Sequence, residues 1–115
     1  MIKPKDNELA PLKMLETEGS FSLMLTDFDE WAETFEEMGQ EAGGYGWHGV
    51  ADALVRLKAP KLKKKIKYDP EASMFVAYGT DRDALIQLGR LILEAMADPS
   101  ILKEAIEKAN PKLMG

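Results

Sequence analysis

Residues 43–54 read GGYGWHGVADAL and hold the chain's only histidine, His48, with Tyr45 three positions before it and Asp52 four positions after it. Imidazole is the side chain whose unperturbed charge change falls near neutral pH. On a helix, Asp52 shares a face with His48 and can orient its ring, which is the minimum for general-base work in a small hydrolase. That chemistry also needs a nucleophile or a second acid, and the nearby chain offers only Tyr45. The same histidine equally suits a contact with a protein partner, beside a tyrosine, a residue type common among interface hot spots.

Two charged stretches flank this segment. Residues 27–41, DFDEWAETFEEMGQE, carry seven acids and no base, and residues 56–67, RLKAPKLKKKIK, carry seven bases and no acid. The acids, among them Asp29, Glu30, Glu33 and Glu37, lack the loop spacing that converges six or more oxygens on a hard cation. They read instead as a solvated helix face able to dock a basic partner. The lysines have no interleaved aromatics and no glycine-rich phosphate loop, so they fit an edge strand guarded against stray pairing.

Elements that position these residues follow from periodicity. PLKMLETEGSFSLMLTD predicts two strands joined by a turn at 16–20, with Phe21, Leu23 and Leu25 on the buried face. Thr26 and Asp29 spell a capping box for a helix whose apolar stripe is Phe28, Trp31, Phe35 and Met38. Gly43 and Gly44 are expected to reverse the chain. A second helix is expected from Trp47 to about Lys58, with Trp47 at the head of its buried stripe and Tyr45 off it. KKIKYDPEASMFVAYGTD predicts a second hairpin turning at Asp69-Pro70-Glu71, and Thr80 to Asp83 repeats the cap before a third helix. Asp98 and Pro99 open a last one.

The halves align at an offset of 54, which places Phe21 with Phe75, Thr26 with Thr80 and Trp31 with Leu85. The expected fold is α+β: ββα(α)ββα plus a C-terminal helix, a four-stranded, mainly antiparallel sheet from two hairpin-helix units, with helices on one face. With 115 residues, 45% of them apolar and 30% charged, one domain spanning 1–115 is expected. The absence of cysteine removes disulfide and thiolate chemistry. The N-terminus lacks a signal-like apolar core and no run approaches a membrane span, so a cytoplasmic protein with no membrane partner is expected. The net charge of −5 argues against nucleic acid as a partner.

In their order and spacing, TDFDEWAETFEEMG, GGYGWHGVADAL and KIKYDPEASMFVAYGTDRDAL resemble the immunity protein 51 family of bacterial polymorphic-toxin systems. His48 departs from that pattern, in which an acidic residue after the tryptophan is commoner. The resemblance implies a protein that binds a cognate toxin, or toxin domain, and neutralises it without performing chemistry. From the residues themselves no cofactor or metal is expected, and the acidic face suits a basic toxin surface such as the nucleic-acid groove of a nuclease. No inhibitory residues transfer from the family. Tyr45, His48, Asp29, Glu30, Glu33 and Glu37 are the expected partner contacts, on a monomer or homodimer. An adaptor or regulatory interaction module, or a hydrolase using His48 and Asp52, are the alternatives.

Overall fold

The computed structural model describes residues 9–114, so most of the polar N-terminal lead lies outside it. Strands β1 (Lys13–Thr17) and β2 (Ser20–Leu25) form a hairpin closed by Glu18 and Gly19. Both turn residues have positive φ, 42° and 83°, the geometry that matches the twist of a tight hairpin. The turn is therefore two residues long, shorter than the 16–20 expected.

The next segment departs from its sequence reading. Thr26 caps nothing; the Asp29 amide donates to the Asp27 carboxylate at 3.1 Å, and a 3-10 turn at Asp29–Trp31 leads into a short helix, α1 (Ala32–Glu37). The apolar stripe survives this change, because Trp31 and Phe35 are buried and Phe28 and Met38 pack against the core. Gly39, at φ 76°, ends α1: its amide donates to Glu36 and that of Gln40 to Phe35, a left-handed helix stop.

Chain reversal thus belongs to Gly39, and Gly43 and Gly44 do something else. Helix α2 (Gly44–Lys58) begins three residues before Trp47, with Gly43 as its extended N-cap. A 3-10 turn at Pro60–Lys65 follows, then the two-residue edge strand β3 (Lys67–Tyr68) and β4 (Phe75–Gly79). Asp69-Pro70-Glu71 is not the reversal of this hairpin. Its tip is Ala72-Ser73, closed by reciprocal bonds between Glu71 and Met74 of 2.8 and 3.1 Å. Helix α3 (Arg82–Ala97) is capped by Asp81, one residue after the expected Thr80, and α4 (Pro99–Lys108) by Asp98 as expected.

The sheet is antiparallel and open, in the order β1-β2-β4-β3. Leu23 pairs with Ala77, its counterpart at the offset of 54, so the centre of the sheet is a local two-fold point. Helices cover one face, where Leu23, Leu25, Phe75 and Ala77 meet Trp47, Leu85, Leu88 and Ile92 in a core with no buried charge among the described residues. The other face carries Lys13, Leu15, Ser22, Met24, Val76 and Tyr78, none of them fully buried.

Candidate functional site: a cleft beside the acidic segment

Helix α2 carries Gly44 and Gly46 in its first turn because other backbone lies where their side chains would stand. A Cβ on Gly44 would overlap the carbonyl oxygens of Glu71 and Met74, and one on Gly46 would overlap the Glu41 carbonyl and sit 3.0 Å from the Phe35 ring. The Gly44 amide also donates to Ala72 at 3.2 Å. Helical glycine costs roughly 1 kcal/mol against alanine. Here it lets the first turn of α2 press against both the end of the acidic segment and the β3–β4 turn.

That convergence leaves a cleft of about 470 Å³, walled by Thr26, Phe28, Glu41, Gly43, Tyr45 and Ala72. Tyr45 stands on its rim with 41% of its surface exposed, one of three large apolar side chains that are exposed among the described residues. Phe28 and Glu41 bring the two ends of the acidic segment to the same opening.

Between those ends, burial of the aromatic residues dictates where the acids go. The Trp31 indole N–H donates to the Met96 carbonyl at 3.2 Å, and its ring meets Trp47 edge to face at 5.7 Å, with Phe35 5.3 Å from Trp47 on another side. The Trp47 N–H is buried among these rings without a hydrogen-bond acceptor. With Trp31 and Phe35 fixed inward, Asp29, Glu30 and Glu33 are exposed. Glu37 is exposed too, but its carboxylate meets the Lys103 ammonium of α4 at 2.9 Å.

The anticipated pairing of His48 with Asp52 does not form. Asp52 accepts from the Arg56 guanidinium at 3.0 Å, and that guanidinium also donates to the Lys108 carbonyl at 2.7 Å. His48 is half-buried and stacks on Tyr68 with ring centroids 4.6 Å apart. Desolvation holds the imidazole below its ordinary pKa of 6.5, opposed in part by the Asp52 charge. Burial, helped by Asp52, also pushes the Tyr68 phenol up. Neither His48 nor Asp52 lines the cleft, so Tyr45 and His48, neighbours in sequence, occupy different surroundings.

The family model of immunity protein 51 matches residues 12–111. The chain belongs to the immunity protein 51 family. The matched region of this immunity protein runs from just before β1 past the end of α4, and so includes the acidic segment and every cleft residue but Met114. Membership of an immunity-protein family points to toxin neutralisation and implies a cognate toxin as the partner. No curated protein and no solved structure matches the chain.

Of the immunity protein's cleft, the exposure of Tyr45 was legible from its place off the buried stripe of α2, whereas nothing in the local sequence marks Phe28, Glu41 and Ala72 as its walls. The available signal was Gly44, Gly46 and Gly49 within a helical pattern, which marks close approach by other parts of the chain. A second cleft of about 440 Å³ lies at the lysine-rich sheet edge, where the Lys65 ammonium meets the Asp81 carboxylate at 3.1 Å. Among the described residues no group of three or more acids, histidines or cysteines is arranged to hold a metal ion, and no helix is long and apolar enough to cross a membrane.

Proposed function

We propose that this immunity protein neutralises its toxin in the cytoplasm by binding without catalysis, using the acidic segment and the rim of the adjoining cleft. The observation that carries this reading is the family match over residues 12–111. The geometry supports the finer part: Asp29, Glu30 and Glu33 are exposed on a segment whose ends open on the cleft beside Tyr45. Such a surface complements a basic toxin face, as in the nucleic-acid groove of a nuclease. Clustered acids accelerate encounter, and a rigid aromatic residue supplies short-range contact area. Glu37, tied to Lys103, and His48, stacked on Tyr68, contribute less.

Co-expression with the toxin domain encoded beside its gene tests the reading. Growth rescue and co-purification of the two chains are expected. Equal killing with and without this chain would contradict it.

A further inference from the structure

The two edges of the sheet differ. Edge strand β3 has two paired residues and is flanked by Lys63, Lys64, Lys65 and Pro70, features that discourage another strand from adding. Edge strand β1 has five, in an unbroken register with β2 that contains no bulge and no proline. Its Leu15 is 51% exposed at the middle of the strand.

The hairpin geometry fixes which backbone groups of β1 are free. A two-residue turn makes Thr17 and Ser20 a hydrogen-bonded pair, and alternation then points the amides and carbonyls of Leu15 and Lys13 towards β2 as well. The backbone groups of Met14 and Glu16 therefore face outward, where no described strand meets them.

We propose that β1 pairs antiparallel with β1 of a second copy of this chain, joining two four-stranded sheets into one. A single register satisfies each requirement at once. With Leu15 opposite Leu15 of the other copy, Met14 stands opposite Glu16, and these are the residues whose backbone groups face outward. Each Met14–Glu16 pair exchanges two hydrogen bonds. The two Leu15 side chains meet across the axis as a pair without hydrogen bonds, where side chains come closest. Lys13 falls opposite Thr17, so no like charges oppose each other directly. The contact is isologous and closes on itself, which gives a dimer and not a filament. It is independent of the toxin-binding reading.

Sedimentation equilibrium of the full chain over a concentration series is expected to show a mass rising from 12.8 kDa towards twice that value. Leu15→Lys should keep the wild-type circular dichroism and remain at the monomer mass. Because the chain has no cysteine, Leu15→Cys gives an unambiguous second readout. Facing strand residues lie within disulfide reach, so mild oxidation should convert it to a covalent dimer at least about 10-fold faster than Ser73→Cys, which sits exposed at the β3–β4 tip. A wild-type monomer at all concentrations with equal oxidation of the two cysteine variants would overturn the proposal. So would a dimer that Leu15→Lys leaves intact, or a monomer in which Leu15→Lys abolishes toxin rescue, since the edge would then receive the toxin.

Discussion

In the second half of the chain Asp81 caps a helix of 16 residues, whereas the same Thr-x-x-Asp spelling 54 positions earlier gives a 3-10 turn and a helix of 6 residues. Two residues account for the difference. The Asp81 carboxylate reaches forward to the Ala84 amide, while that of Asp27 closes on Asp29 and tightens the backbone into a 3-10 turn. Gly39 then stops α1 at a position whose counterpart, Leu93, continues α3. The unbroken helix becomes a slab of core. The broken one lets α2 start early, against the acidic segment, and so creates the cleft. The difference between two similar units is where this molecule acquires its cleft.

The comparison can be broken most strongly at its glycines. Gly44→Ala forces a methyl group into fixed carbonyls of the β3–β4 turn and should cost about 3 kcal/mol. Gly89→Ala in α3 meets the end of the flexible Leu9 side chain at 2.9 Å. The alanine also gains roughly 1 kcal/mol of helix propensity, so the net change should stay within about 1 kcal/mol. Urea midpoints of the two variants measure the contrast, and equal losses would remove the close-approach account of α2.

A smaller effect separates the caps. Asp81→Ala should lower the thermal midpoint, whereas Thr26→Ala should leave it in place. Hydrogen bonds from Ala84 and Lys65 hold the Asp81 carboxyl below the usual carboxylate range. The unfolded chain therefore takes up this proton first as the pH falls. The cap's contribution is complete above the unfolded pKa of roughly 4 and disappears as the pH drops through the folded value. The Asp81→Ala and wild-type stability curves should converge in acid.

The smallest effect belongs to His48, whose counterpart 54 positions on is the buried Leu102. Since burial lowers the imidazole pKa, the unfolded state protonates first below its ordinary value of 6.5, and wild-type stability should decline from there towards the folded pKa. In His48→Leu that part of the decline should be absent. Half-exposure keeps the effect modest, and a stability-against-pH series by urea denaturation resolves it.

The two hairpins, the four-stranded composition of the sheet and the buried stripes were legible in the sequence because each rests on a local period: Leu23 and Leu25 alternate, and Trp31 and Phe35 recur at helical spacing. Cap positions slipped where two acceptors competed, as at Thr80 against Asp81. The turn at Ala72-Ser73 was hidden because Asp69-Pro70-Glu71 spells a turn locally, while the ladder continues past it through the Asp69 amide to Val76. The cleft was illegible in principle from any one segment. Its walls, Phe28, Glu41, Tyr45 and Ala72, come together only when three separated stretches converge on the glycines of α2.

The acidic segment's role is tested most directly by the association rate with the cognate toxin domain, measured against ionic strength for wild type and for the triple reversal Asp29→Lys, Glu30→Lys, Glu33→Lys. Glu37 is left in place so that its pair with Lys103 persists. Steering by these acids predicts an association rate at low salt about 10-fold slower or more in the variant, with a flattened salt dependence. An unchanged rate and salt dependence in a correctly folded variant would contradict the account.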